Sequence, residues 1–166
     1  MKIFLIGMPY SGKSTLGHQL ANELSLPFVD QDREIEMRES KSISEIFSQA
    51  GEGHFRIIES TVLKEWAASS ESFVMGTGGG APCFHHGIDI INQAGISIFL
   101  DVPTEELVSR VGSKSDRPLL NTSDQEALIE KLTRLYSNRV EIYRKARLIL
   151  TNPTLPVVLN ALKIRN

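Results

Sequence analysis

The residues with the clearest chemical meaning in this chain form the stretch GMPYSGKST, residues 7–15. It matches Gly-x-x-x-x-Gly-Lys-Ser, the Walker A pattern, and lies between an apolar run and a helical pattern, as that motif requires. The backbone N–H groups of such a loop, with the positive end of the following helix, bind phosphate oxygens. Lys13 would reach the β- and γ-phosphates, and the Ser14 hydroxyl would bind Mg²⁺. The residues expected to contact a nucleoside triphosphate are Tyr10, Ser11, Gly12, Lys13, Ser14 and Thr15.

Two carboxylates follow the second apolar run, in Asp30-Gln31-Asp32. One of them could act on Mg²⁺ or its waters, while the other accepts a proton from an attacking hydroxyl group. The alternative is an N-cap of a solvated helix with a second acid for the helix dipole. The residues alone leave both interpretations open.

Two arginines, Arg56 and Arg139, could form a clamp for a carboxylate ligand, because a planar guanidinium fork matches a carboxylate. For Arg56 the alternative is a surface ion pair with Glu59, three residues further along one helix. For Arg139 the alternative is an ordinary basic residue on a terminal helix, with Glu141 nearby.

Two further segments have compositions that favour ligand contact. Gly78-Gly79-Gly80 follows the third apolar run, and glycines let a ligand come close to the backbone; a flexible surface turn is the alternative. The polar stretch 111–121, VGSKSDRPLLN, predicts a lid in which Arg117 neutralises phosphate charge on closure. An ordinary exposed loop is the alternative for that stretch.

Apolar runs and helical patterns alternate along the chain. The runs predict five strands, namely KIFLI (2–6), PFVD (27–30), SFVMG (72–76), SIFLD (97–101) and RLILT (147–151). Helical patterns start at Lys13, at a capping box over 42–45, after Gly51 and Gly53, and at a second capping box over 123–126, and another lies around 107–111. Strands that are apolar on both faces, alternating with helices, predict an α/β fold with a buried parallel sheet. Ligands of such folds bind at the carboxyl ends of the strands, where the segments described above lie.

Composition narrows the class of protein. The chain has 166 residues, 41% of them hydrophobic and 23% charged, which predicts one soluble globular domain. A net charge of −2 argues against nucleic acid as the main partner. The single cysteine, Cys83, fits a reducing compartment. We find neither a signal peptide nor a run of the roughly 18 apolar residues that a membrane helix needs, so we expect a cytoplasmic protein with no membrane partner.

Taken together, these motifs resemble the shikimate kinase family. The resemblance depends on GMPYSGKST, FVDQDREIE (28–36), GEGHFRIIE (51–59), GTGGGAP (76–82), DRPLL (116–120), RVEIY (139–143) with Ala146, and TNPTLP (151–156). It covers the chain essentially from end to end. The phosphate loop alone is generic, but the order and spacing of the other motifs are highly specific.

The resemblance implies a P-loop fold of the nucleoside monophosphate kinase type with a five-stranded parallel sheet. It implies a single kinase domain over 1–166, with a substrate-binding region at about 31–62 and a lid at about 112–122. The implied activity is transfer of the γ-phosphate of ATP to the 3-hydroxyl group of shikimate, with Mg²⁺, in aromatic amino-acid biosynthesis. We expect a monomer whose partners are shikimate and ATP.

The same resemblance implies roles for individual residues on the shikimate side. Asp32 contacts the shikimate hydroxyl groups and is the candidate base. Arg56 and Arg139 bind the carboxylate, and the backbone of Gly79 and Gly80 supports the ring.

On the nucleotide side, Ser14 and, through water, Asp30 serve the magnesium ion. Arg117 comes from the lid, while Arg110 and the turn at Pro156 border the adenine. The catalytic set implied by the family is Asp32, Lys13 and Arg117.

One position departs from the family pattern, and two other functions remain alternatives. Tyr10 stands where family loops usually have a glycine, which affects the expected substrate orientation near Asp32 more than the phosphate site. A different small-molecule kinase, such as a gluconate kinase, would share the loop but would not explain the other motifs. A nucleotide-binding protein without turnover should have lost Asp32, Arg56 or Lys13, and all three are present.

Overall fold

The computed structural model describes residues 1–111, 125–151 and 153–163, and shows a five-stranded parallel sheet. The strand order is β2-β3-β1-β4-β5. The strands are β1 (Lys2–Ile6), β2 (Phe28–Asp30), β3 (Phe73–Gly76), β4 (Ile96–Asp101) and β5 (Leu148–Thr151). Each begins within one residue of the predicted run and ends at the predicted residue, so the predicted α/β fold is confirmed.

Helices follow every strand. They are α1 (Lys13–Glu23), α2 (Gln31–Glu39), α3 (Ile43–Ala68), α4 (Gly87–Ala94), α5 (Thr104–Arg110), α6 (Gln125–Tyr143) and α7 (Leu155–Lys163), with a short 3₁₀ helix at Ala81–Cys83. Helix α3 is interrupted at Gly51, whose φ of 79° is non-helical. The predicted start of a new helical pattern after this glycine therefore reflects a real break.

The central strand β1 is buried on both faces of the sheet. Phe4 and Ile6 belong to one hydrophobic cluster, while Ile3 and Leu5 belong to another. Because successive side chains of a strand point to opposite faces, a strand covered by helices on both sides needs an unbroken apolar run. The helices on both faces thus explain why the sequence KIFLI carries no polar residue after Lys2.

A third, smaller cluster joins α2 to α3. It consists of Ile35, Ile46, Phe55, Ile58 and Val62. The predicted capping box at the start of α3 is confirmed, because the Glu45 N–H donates to the Ser42 Oγ at 3.2 Å and the Ser42 N–H donates to a Glu45 carboxylate oxygen at 2.7 Å. This unit holds the start of α2 and the middle of α3 against each other, beside the carboxyl end of β2.

Three predictions fall on residues outside the described part of the chain. These are Arg117, the whole of the expected lid at about 112–122, and the Ser123 and Asp124 half of the second capping box. Among the described residues, no helix has both the length and the apolar character to cross a membrane.

Candidate active site

The phosphate loop between β1 and α1 uses glycine for conformations that other residues avoid. Gly12 caps the start of α1 with φ 93°, in the left-handed region. Gly7 has φ 145°, and a Cβ atom there would lie 2.9 Å from the backbone oxygen of Leu100. The loop therefore turns sharply out of the sheet and directs the amino-terminal end of α1 toward a cavity that lies over the loop.

Lys13 lies within this loop and is almost completely buried. Its ammonium group donates to the backbone oxygens of Gly7 at 3.1 Å and Met8 at 2.7 Å. These bonds hold the positive charge inside the loop, next to the backbone N–H groups that the Walker A pattern predicts to bind phosphate.

Tyr10 adopts a left-handed conformation, with φ 63°. A residue with a Cβ is strained there, by about 1–2 kcal/mol relative to the right-handed region. Its ring is half-buried and packs against the larger hydrophobic cluster. Tyr10 thus holds a backbone conformation that glycine adopts without strain, while its ring is packed against the protein.

The first cavity has a volume of about 670 Å³ and lies over the phosphate loop. Its wall includes all six predicted nucleotide contacts of the loop, Tyr10, Ser11, Gly12, Lys13, Ser14 and Thr15, and also Arg110. Arg110 donates to the backbone oxygen of Tyr10 at 3.1 Å and forms an ion pair with Glu106. The predicted nucleotide residues before the lid therefore share one cavity.

Pro156 directly follows a turn that borders the first cavity. It is exposed in the first turn of α7, and the wall of the cavity at this place is formed by Pro153, Thr154 and Leu155. The helix begins at Leu155. The turn before Pro156, rather than Pro156 itself, therefore borders the cavity.

The Asp30 carboxylate forms hydrogen bonds to two different helices, α2 and α1. One carboxylate oxygen accepts hydrogen bonds from the N–H groups of Asp32 at 3.1 Å and Arg33 at 3.4 Å, so Asp30 caps α2. The other oxygen accepts a hydrogen bond from the Ser14 hydroxyl at 3.0 Å. The helix-cap interpretation is thus confirmed, and it is compatible with a second role at the first cavity.

The pair formed by Ser14 and Asp30 suits a magnesium ion chemically. A hydroxyl and a carboxylate are hard oxygen ligands, and Mg²⁺ in phosphoryl-transfer sites takes one or two such groups together with waters and substrate phosphates. Both side chains line the first cavity beside the phosphate loop. The residues present therefore fit the ion that the motif predicts.

A second cavity of about 560 Å³ adjoins the first. Its wall includes Asp32, Arg56, Gly79, Gly80 and Arg139. These are all five of the residues that the family resemblance assigns to the shikimate side. They come from α2, α3, the segment after β3, and α6, so only the fold brings them together.

Arg56 forms a buried ion pair, and the alternative of a surface pair with Glu59 is wrong. Arg56 and Glu59 are 5% and 1% exposed, and Arg56 Nη1 lies 2.7 Å from a Glu59 oxygen. Glu52 also accepts from Arg56, at 3.0 and 3.2 Å. The guanidinium carbon lies 4.3 Å from the centre of the Phe84 ring. Carboxylates and an aromatic face thus fix the orientation of this fork.

Glu59 is a buried carboxyl group of this cavity with a perturbed pKa. Burial raises its pKa to about 7, and the charge of Asp32 acts in the same direction, against the attraction of Arg56 and Arg139. For Arg56, burial by itself would lower the pKa, but Glu59 and Glu52 raise it above its ordinary value. The arginine therefore stays charged while the proton on Glu59 is exchanged near neutral pH.

The triglycine segment makes room for protein side chains. A Cβ on Gly78 would lie 2.5 Å from a Glu59 carboxylate oxygen and 3.0 Å from one of Asp32, and a Cβ on Gly80 would lie 2.5 Å from Arg56 Cζ. The sequence predicted that a ligand approaches the backbone of these glycines. In the structure, side chains of the protein itself also approach it closely. The alternative of a flexible surface turn is wrong, because all three glycines are buried.

Arg139 and Tyr143 fix the other side of this segment. Arg139 is buried on α6, and a Cβ on Gly79 would lie 3.3 Å from its guanidinium nitrogen. The buried Tyr143 hydroxyl donates to the Gly79 backbone oxygen at 2.5 Å. Burial raises the pKa of Tyr143 far above its ordinary value, so it remains a donor.

Several side chains that shape this cavity were not predicted as site residues. Glu59 appeared only as the partner in a surface pair, and Glu52, Phe84 and Tyr143 were assigned no role. Spacing on the helix gave a signal for Glu52 and Glu59, which lie four residues before and three after Arg56. Phe84 and Tyr143 reach the site from distant elements, so no local pattern indicates them.

Comparisons with known proteins agree with this geometry. The family model described as "Shikimate kinase" matches residues 9–158. A curated shikimate kinase of Clostridium botulinum is 43% identical over 152 residues, covering 90% of this chain and 86% of the relative. One of Bacteroides fragilis is 40% identical over 150 residues, with 90% and 83% covered.

Solved structures are similar over nearly the whole chain. A shikimate kinase from Acinetobacter baumannii, in complex with shikimate, superposes with a TM-score of 0.88 at 32% identity, covering 99% of this chain and 92% of the other. The shikimate kinase from Bacteroides thetaiotaomicron gives a TM-score of 0.87 at 32% identity, with 99% and 96% covered.

Proposed function

The chain belongs to the shikimate kinase family, and from this premise we propose that it transfers the γ-phosphate of ATP to the 3-hydroxyl group of shikimate. One observation carries the proposal. Asp30 and Asp32 line both cavities, so the two cavities meet at these carboxylates. The phosphate loop faces the first cavity, and the arginines face the second. A phosphate donor in one cavity and a hydroxyl acceptor in the other would meet at these carboxylates.

In this proposal Asp32 is the base that accepts the proton of the attacking hydroxyl. It is the second residue of α2 and lies in the wall that the two cavities share, and its carboxylate lies near Gly78 and Glu59 on the shikimate side. Asp30 lies on the nucleotide side, bonded to Ser14. The two aspartates therefore face different reactants although they are two residues apart.

Arg56 and Arg139 bind the carboxylate of shikimate in the proposed complex, and the backbone of Gly79 and Gly80 supports its ring. Both arginines are buried around one cavity wall, which places two positive charges where a small anion would enter. A cyclic polyol with a single carboxylate matches two guanidinium groups on one side and an aspartate on the other.

On the nucleotide side, Lys13 and the loop N–H groups bind the β- and γ-phosphates, and Arg110 with the turn at Pro156 borders the adenine. Mg²⁺, held by Ser14 and through water by Asp30, would neutralise charge on the phosphates. Arg117, from the lid proposed at about 112–122, adds positive charge to the transferred group on closure. Catalysis then depends on positioning and charge stabilisation more than on covalent chemistry.

The proposal includes the setting in which the enzyme works. A single kinase domain over 1–166, with substrate contacts at about 31–62, acts as a cytoplasmic monomer on shikimate and ATP. The net charge of −2 argues against nucleic acid as a partner, and the single cysteine fits a reducing compartment.

One coupled assay tests the function. ADP release is measured with ATP and Mg²⁺ in the presence of shikimate, of gluconate, and of neither acceptor. We expect rapid ADP release only when shikimate is the acceptor. Release with gluconate would indicate a different small-molecule kinase, and binding of ATP without acceptor-dependent release would indicate a nucleotide-binding protein.

A further inference from the structure

The residue between the two aspartates of the site, Gln31, is a fully buried amide that none of the roles proposed above uses. Burial of an amide is unfavourable unless hydrogen bonds satisfy it. The Gln31 nitrogen donates to the backbone oxygen of Glu59 at 2.9 Å, and the Gln31 oxygen accepts from the backbone N–H of Gly78 at 3.0 Å. The partners fix the orientation of the amide, because a carbonyl can only accept and an N–H can only donate.

These two bonds join three segments that carry the shikimate side of the site. Gln31 begins α2, Glu59 lies in the interior of α3, and Gly78 belongs to the segment after β3. The parallel pairing of β2 with β3 runs to Asp30 and Gly76. The side chain of Gln31, the residue after β2, therefore bonds to Gly78, two residues after β3, and extends the connection between the two segments beyond the ends of the strands.

Gln31 holds Glu59 and Gly78 close to each other. Glu59 pairs with Arg56, and Gly78 is packed so closely against the carboxylates of Glu59 and Asp32 that a Cβ would overlap the first. If the Gly78 N–H lost its acceptor, it would be a buried donor without a partner, and the segment would shift to find one. Such a shift would move Gly79 and Gly80 relative to Arg56.

We infer that Gln31 is a positioning residue for the shikimate side of the site: it holds Gly78 and Glu59 at a fixed spacing, so that Arg56 and the Gly79–Gly80 backbone face one ligand. The inference rests on the proposed function, because it assigns a purpose to this spacing only if shikimate occupies the second cavity. Loss of these bonds should affect shikimate and not ATP, because the hydrogen bonds of Gln31 reach α3 and the triglycine segment and do not reach the phosphate loop.

The test is Gln31→Met, which keeps the length of the side chain and removes both hydrogen bonds. We expect the KM for shikimate to rise about tenfold, a change that corresponds to about 1.4 kcal/mol, while the KM for ATP and kcat stay within about twofold. Gln31→Asn keeps an amide but is one methylene shorter and cannot span both partners, so it should raise the same KM. It provides the test if the methionine variant does not fold.

Asn92→Leu is the matched control. Asn92 is also an amide that links two elements: it donates to the backbone oxygen of Lys145 at 2.9 Å and accepts from the Ser97 hydroxyl at 2.5 Å. It lies outside the walls of both cavities as far as the structure describes them. Its loss should lower the Tm and leave the KM for shikimate unchanged.

Three outcomes would overturn the inference: a wild-type KM for shikimate in Gln31→Met, an equal rise in both KM values, or an equal rise of the shikimate KM in Asn92→Leu. The wild-type protein is measured in the same assay. If it does not phosphorylate shikimate, the proposed function fails; if it does and the Gln31 variants match it, only the role of Gln31 fails.

Discussion

The phosphate loop and the triglycine segment are both rich in glycine, but they use it for different physical reasons. In the phosphate loop, Gly12 has φ 93° and the nearest atom to an added Cβ would be 3.5 Å away, so glycine is needed for its backbone conformation. In the triglycine segment no glycine has a positive φ, yet Cβ atoms on Gly78 and Gly80 would overlap charged side chains. There, glycine is needed for space.

The two regions also differ in what surrounds them. The phosphate loop makes its site mainly from its own consecutive residues, and even Lys13 bonds to loop carbonyls. The triglycine segment is enclosed by groups from three helices, with a buried ion pair at its centre. A local site tolerates change elsewhere in the chain, whereas an assembled site depends on the spacing of distant elements.

Lys13→Ala should have the largest effect, because it removes the only side-chain cation that belongs to the phosphate loop itself. Loss of one preorganised cation at a transferred phosphoryl group lowers kcat by about 10³–10⁵-fold. The measurement is kcat at saturating ATP and shikimate, with circular dichroism as the control for folding. Near-normal turnover would contradict the assignment of the loop to the nucleotide.

Asp32→Asn should lower kcat by about 10²–10⁴-fold, the usual contribution of a general base. The amide keeps the shape of the side chain and removes the base. Asp30→Asn should instead raise the magnesium concentration that gives half-maximal rate. Titration of both variants with magnesium at saturating shikimate separates the roles, and rescue of Asp32→Asn by magnesium would exchange them.

Gly80→Ala and Gly12→Ala sharpen the comparison of the two glycine segments directly. The added methyl group at Gly80 meets the Arg56 guanidinium, so we expect the KM for shikimate to rise by about tenfold with little change for ATP. At Gly12 the strain of a positive φ distorts the phosphate loop, and the KM for ATP should rise instead. Equal effects of both variants on both substrates would show that the two segments are not independent.

Glu59→Gln tests the titration of the buried carboxyl group. Because its folded pKa is raised to about 7, the folded state holds a proton that the unfolded state releases near its ordinary pKa of 4.5. Stability from this group is therefore present below pH 4.5 and decreases as the pH rises to about 7, by at most about 1.4 kcal/mol per pH unit. Urea unfolding across this range should show a shallower decrease for the glutamine variant, and parallel curves would rule the titration out.

Tyr10→Gly should have the smallest effect. The substitution removes the strain of a tyrosine in the left-handed region, but it also removes the packing of the ring, and these two contributions to stability oppose each other. We expect kcat/KM for both substrates to change by less than about threefold. A large change in either direction would mean that the ring tunes the phosphate site.

The parts that could be predicted from sequence are those with a local physical cause. The strands follow from unbroken apolar runs, the start of α3 from the Ser42–Glu45 capping box, and the phosphate loop from glycines and a lysine at fixed spacing. Family resemblance placed Asp32, Arg56 and Arg139 on the shikimate side, and the fold places all three around one cavity.

The sequence by itself thus determined the order of the elements, the phosphate loop and the chemical types gathered at the carboxyl ends of the strands. Each depends on contacts between near neighbours in the chain. Only the tertiary structure decided that Arg56 is buried against Glu59 and Phe84, that Gln31 bridges α3 and the triglycine segment, and that burial raises the pKa of Glu59. Burial and cross-element hydrogen bonds arise from residues dozens of positions apart, and only packing of the whole chain sets the distances between them.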